Sequence, residues 1–193
     1  YQLRLSYRDQ VKTAEISSYN LAAIFEARLD ATLRRTDADL QIMAIEIPFA
    51  SLNRSAVSHF EREVRANLER MLFNVEEMTG YRVHDADGDL LYAAGEAATL
   101  CDTEERLNIA SRDDFQRLRD DPEAGLVFSE VLTDRRTGRE VLVIARGIRD
   151  DQGNFLGIVR GLLELEYYRK QFQSLDLGEH GVVALRRKDT HAQ

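Results

Sequence analysis

The sequence predicts an α+β fold in which a long N-terminal helix and a second helix pack on a five-stranded antiparallel sheet. Three observations carry this. No Gly or Pro precedes Pro48, and apolar or small residues recur there at helical spacing. A second helical stripe follows directly. From Tyr81 onward, short β-rich runs alternate with polar, Gly-containing turns.

The first helix is predicted from about Ser6 to Ile47. Its seam is Ala22, Phe25, Leu29, Leu33, Thr36, Leu40, Met43 and Ile47, mostly in alternating steps of three and four, with a four-four stutter at Leu29 and Leu33. A helix of about 40 residues is about 60 Å long. It either protrudes as a stalk and dimerisation helix or packs as an ordinary amphipathic helix on its own sheet. Pro48 ends or kinks it. Asn53 or Ser55 can cap the second helix, expected over about Ala56–Met78 with the stripe Val57, Phe60, Val64, Leu68, Met71, Leu72, Val75 and Met78 and with Gly80 as its C-terminal stop.

Tyr81–His84 and Leu90–Gly95 read as strands around the Asp85–Asp89 turn. That turn resembles a calcium loop only superficially, and a solvated hairpin turn is expected. Ser111 caps a short helix to about Asp120, with Asp113 and Asp114 at the positive end of its dipole. Leu126–Leu132 is a third strand. Val141–Ala145 and Phe155–Leu165 form the strongest hairpin, closed by Asp150–Asn154. A short helix over Glu166–Leu175 and a last strand over Val182–Leu185 complete the expectation.

With 193 residues and 44% apolar composition, the chain can build a real core. A net charge of −8 and a pI near 5.1 argue against non-specific nucleic-acid binding, which needs a basic face. Cys101 is the single cysteine, so no disulfide forms within the chain. His59, His84, His180 and His191 lack metal-ligand spacing. No nucleophile–base motif and no phosphate-cradling Gly loop occurs. Neither metal, cofactor nor catalysis is expected of this chain, and no run of 18 apolar residues spans a membrane.

Several segments, in order, resemble the double-Cache (PAS-like) extracytoplasmic sensor domains of bacterial membrane receptors. Ser111-Arg112-Asp113-Asp114-Phe115 is similar to the family's short helix, which opens with an Arg and carries an aromatic three residues on. Phe128–Val131 with Thr137–Glu140 is similar to its strand and Thr-Gly turn, and Ile144–Asp150 with Gly153–Gly157 to its central hairpin. Leu175–Gly181 is similar to its exit towards a second lobe, and Leu33–Leu40 resembles the leading helix of members found upstream of diguanylate cyclase and histidine kinase modules. The resemblance implies a stalk and dimerisation helix over residues 1–50 and a membrane-distal sensor lobe over 51–193, truncated before a membrane-proximal lobe. It also implies a periplasmic location on an inner-membrane protein, transmembrane helices outside this chain, and a helical homodimer.

A ligand pocket is the expected functional site. Arg112 is placed near its rim, where a guanidinium suits a carboxylate through two parallel hydrogen bonds; alternatively it pairs with Asp113, Asp114 or solvent. Phe115, Tyr92 and Phe128 are candidate ligand contacts or simply packing. Arg146 and Arg160 interrupt apolar strands and, with one sheet face open, are expected to face solvent. The chain departs from amino-acid-sensing members: Asp114, Phe115 and Leu107 replace their aromatic positions, and Leu162 stands where they carry an acid. An α-amino-acid ligand is therefore not expected; a small carboxylate and an empty lobe acting only as a spacer are equally open. The reading is a sensory domain that binds a small molecule and signals through a dimer; the alternative is a ligand-free coiled-coil adaptor.

Overall fold

The computed structural model describes residues 2–73, 75–96, 108–134 and 137–173, with residues 2–18 as helix backbone only. Helix α1 spans Gln2–Glu46 and α2 Val57–Leu72; α3 (Asp113–Asp120) and α4 (Leu165–Gln173) are short. Strands β1 (Met78–Asp85), β2 (Leu90–Gly95), β3 (Val127–Thr133), β4 (Glu140–Arg149) and β5 (Phe155–Glu164) form one antiparallel sheet in the order β2-β1-β5-β4-β3. The expected α+β architecture is therefore present. The β4–β5 hairpin lies at its centre, with β5 flanked by β4 and β1.

Local chemistry sets the element ends. The α1 helix stops at Glu46, and Pro48 opens a 3-10 turn over Phe49–Ser51. Neither candidate caps α2, whose N-cap is Ala56 without a side-chain bond; Asn53 instead caps the 3-10 turn Arg54–Ala56 that leads into it, its Oδ1 accepting from Ala56 N at 3.0 Å and from Ser55 Oγ. In the β4–β5 turn, Asp150 Oδ1 accepts from Gln152 N and Asn154 N, and Gly153 takes a φ of 84°, open only to glycine at little cost.

Two boundaries differ from expectation. The second helix ends at Leu72, where Phe73 turns extended (φ −63°, ψ 124°). Val75 and Met78 continue the apolar stripe by spacing and are buried, yet Met78 pairs with Leu163 of β5, and Gly80 lies inside β1 rather than capping the helix. Strand pairing outweighs periodicity here. Ser111 likewise does not cap α3; the N-cap is Arg112, without a side-chain cap bond. The expected Leu175–Gly181 exit and Val182–Leu185 strand lie outside the described residues.

The main core lies between the sheet and the two long helices. Leu40, Met43 and Ile47 of α1 and Val64 and Leu68 of α2 pack there against Val83, Ile144, Ile148, Val159 and Leu163. Each such side chain stabilises the fold by about 1.5–3 kcal/mol relative to exposure. Both readings of α1 are thus partly realised. Its C-terminal half packs on the sheet, and burial fades towards the N-terminus through half-buried Leu33 and Leu29 to exposed Ala22. Phe172 of α4 meets Phe25 edge-on, 4.8 Å between ring centroids, the last described anchor of the helix. At about 1.5 Å per residue, α1 is about 67 Å long.

Candidate functional site

Successive strand residues point to opposite faces, and this alternation builds the candidate site. On β1, Tyr81 and Val83 face the helices, so Arg82 and His84 face the other way. On β5, Val159 and Leu163 face the helices, and Ile158, Arg160 and Leu162 share the opposite face. A second, smaller core covers that face: Phe115 and Leu118 of α3, Ile109, Val127, Val143 and Ala145 cluster with Ile158. Phe115 is fully buried and meets Phe155 edge-on.

Polar groups embedded in this second face are the unusual feature. Arg82 and Arg160 are direct cross-strand partners between β1 and β5, and both are 3% exposed. Like charges placed directly opposite repel. Asp134, at the end of β3, meets Arg82 Nη2 at 3.0 Å. Arg160 feels Asp114 and Asp134 as well, yet its Nε and Nη1 are buried without a hydrogen-bond partner. Burial, reinforced by Arg82 and Arg112, pulls its guanidinium pKa down to about 9.

Two further groups join it. Both ring nitrogens of His84 are buried and unbonded, and burial together with Arg160, Arg82 and Arg112 holds the imidazole pKa well below its usual value, so His84 is neutral. Asp114, at the start of α3, accepts from Arg112 Nε at 2.9 Å through Oδ1, while its Oδ2 is buried and unbonded. Gly157 permits this close packing: a Cβ there would lie 2.1 Å from the His84 carbonyl oxygen.

Of the six sequence candidates, the structure brings Arg112, Phe115 and Arg160 to this face. The other three belong to the helix side. Tyr92 is buried in the main core and donates to the Ser51 carbonyl at 2.9 Å. Phe128 packs, half-buried, against the same core. Arg146 pairs with Asp37 of α1. The expectation of solvent-facing arginines is thus corrected for both: Arg146 is tied to α1, and Arg160 is sealed beneath the second face, because α3 and its flanking residues cover what was taken to be an open side. Arg112 pairs with Asp114, the alternative open to it. Sequence reasoning passed over Arg82, His84, Asp114 and Asp134. The signal for the first two was present, since Arg82 and His84 alternate with apolar neighbours in a strand; which face they would share, and that it would be buried, was not.

No protein-family model matches the chain, and no curated protein is similar to it. Solved structures are. The sensory domain of the Campylobacter jejuni chemoreceptor Tlp3 (CcmL), with isoleucine bound, matches with a TM-score of 0.62 at 14% identity, over 87% of this chain and 64% of that one. The ligand-binding domain of the Pseudomonas fluorescens chemoreceptor CtaA, in complex with L-valine, matches at 0.55 and 15% identity, over 78% and 59%. The extracellular domain of rpHK1S-Z16, assigned as a histidine kinase, matches at 0.51 and 20% identity, over 81% and 65%. The fold is that of chemoreceptor sensory domains. The chain spans roughly three-fifths of the length of these structures. Among the described residues no helix is long and apolar enough to cross a membrane, and no group of His, Cys, Asp and Glu is placed to hold a metal ion.

Proposed function

We propose that this chain is the extracytoplasmic ligand-binding domain of a bacterial membrane receptor, and that its ligand is a small organic anion held on the second face by Arg160, with Arg112 and His84 beside it and Phe115 in the apolar wall. One observation carries this reading: Arg160 is buried opposite Arg82 with two guanidinium nitrogens unbonded. Buried guanidinium donors left unbonded cost stability, and an organic anion supplies acceptors together with opposing charge. The solved neighbours with isoleucine or valine bound on the same fold support a small-molecule site.

The signal passes to α1. On β1, Arg82 and His84 face the ligand side while Tyr81, the residue before Arg82, packs beneath α1 beside Asp39 and Thr36. A ligand alters signalling only by binding two arrangements of sheet and helix unequally. The exposed apolar residues Tyr19, Ile24, Ile42 and Ile45 on α1 fit a helix-mediated homodimer. Residues 1–50 then act as stalk and 51–193 as sensor lobe, with a cyclase or kinase module as the output of the whole protein.

A thermal-shift screen of organic acids tests the ligand. Carboxylates raise the wild-type melting temperature in a concentration-dependent way, and Arg160→Met loses that response; no shift with any anion removes the reading. Sedimentation tests the dimer. Self-association that weakens in Ile24→Asp and Ile45→Asp supports it, and a monomer at all concentrations defeats it.

A further inference from the structure

Arg160, His84 and Asp114 are buried on the second face, so an anion meets them only when part of their cover moves. We infer that α3 is a lid, which swings away from the sheet about its N-terminal end, admits the ligand and closes over it. The purpose of this motion rests on the anion site proposed above; the motion itself does not.

The fit, grip and fastening of α3 point to it. Its underside is poorly matched. Among the described residues, Asp114 Oδ2, Arg160 Nε and Nη1 and both ring nitrogens of His84 are buried with no hydrogen-bond partner. A buried polar atom left unbonded carries its full desolvation penalty, and opening returns these atoms to water. The apolar grip is small: Phe115 and Leu118 are the side chains of α3 in the second core, and the cost of exposing them is offset by the hydration regained. The fastening is lopsided. Before the helix, Ile109 N donates to the Gly88 carbonyl at 3.0 Å and Asn108 Nδ2 to the Asp87 carbonyl at 2.9 Å, which ties the entry to the β1–β2 turn. At the far end Arg149 of β4 is a latch. Its Nη2 donates to the carbonyls of Leu118 at 2.7 Å and Arg119 at 3.1 Å. Its Nη1 donates to the Gly153 carbonyl, and the guanidinium lies 5.4 Å from the centre of the Phe155 ring, so the sheet side holds the latch in place. In the loop beyond, a Cβ on Gly125 would meet nothing within 4 Å, which leaves this end room to move. Segments with few buried apolar contacts and exposed hydrogen bonds open at a lower free energy than the whole fold.

Native-state hydrogen exchange on the ligand-free wild-type chain in low urea, read by mass spectrometry of peptic fragments, tests the lid. The amides of α3 exchange about 100-fold or more faster than those of β1 and β5, with little dependence on urea. Arg149→Met keeps an apolar stem and removes the latch bonds; it speeds exchange in α3 by about a further tenfold, and by more than in β1 and β5. The same opening uncovers His84, whose imidazole is neutral and therefore open to acylation by diethyl pyrocarbonate, so its labelling rises in step. Amides of α3 that exchange only with β1 and β5, at the same rate and urea slope, overturn the inference, and so does α3 exchange indifferent to Arg149→Met. Anions that stabilise a protein whose α3 stays shut leave the anion site standing and defeat the lid. An α3 that opens in a protein no anion stabilises leaves the motion standing and removes the ligand.

Discussion

Replacing Arg160 by methionine should make the ligand-free protein more stable, which is unusual for a buried strand residue. Burial, with Arg82 and Arg112 nearby, pulls the guanidinium pKa down to about 9 on folding. At about 1.4 kcal/mol per unit, the charged form is disfavoured by about 5 kcal/mol in the folded state. Methionine keeps the unbranched apolar stem and removes the charge, and exchanges of buried charge for apolar groups are commonly worth about 1–4 kcal/mol. The favourable interactions of Arg160 with Asp114 and Asp134 are lost as well, so a net gain of about 2–3 kcal/mol is expected, or about 5–10 °C in melting temperature for a chain of this size. Urea melts followed by circular dichroism near neutral pH, on protein stripped of ligand by unfolding and refolding, measure the difference. A variant less stable than wild type refutes the account of Arg160 as a buried cation with unmade hydrogen bonds.

Two further outcomes follow from the same face. His84 has its folded pKa lowered well below 6.5 by burial and by Arg160, Arg82 and Arg112. Its contribution is present above the unfolded pKa and is lost as pH falls below it, because the unfolded chain takes up a proton that the native state refuses. The slope is at most about 1.4 kcal/mol per pH unit, and His84→Leu should flatten it in acid melts between pH ~6.5 and ~4.5; an unchanged slope would show that His84 is not buried as a neutral group. Gly157 sits at φ 150° with no room for a Cβ beside the His84 carbonyl. Gly157→Ala should destabilise by roughly 2–4 kcal/mol through backbone strain and separation of β1 from β5, whereas Gly125→Ala, where nothing lies within 4 Å, should change little; equal effects in chemical denaturation would contradict that close approach.

The departures from sequence expectation share one cause. Met78 extends the stripe of α2 by spacing but joins β1, since the hydrogen bonds of the sheet and the pairing with Leu163 outweigh a periodicity that helix and buried strand share over a few residues. Arg160 was read as solvent-facing on the assumption that one side of the sheet is bare; α3 and its neighbours build a second core there. Asp114, read as a dipole partner at a helix start, also belongs to the polar cluster.

By itself the sequence determined what local chemistry controls: a long helix ended at Pro48, the Asp150–Asn154 turn and a central β4–β5 hairpin, and with them the α+β class. It also determined, through alternation, that Arg82 and His84 leave β1 on the same side. What it could not determine was that β1 would lie beside β5 in the register that sets Arg82 against Arg160. That pairing joins residues far apart in the chain. A one-residue slip would move every side chain to the other face, so whether the charges meet water, helix or one another was decided only when the sheet closed around β5.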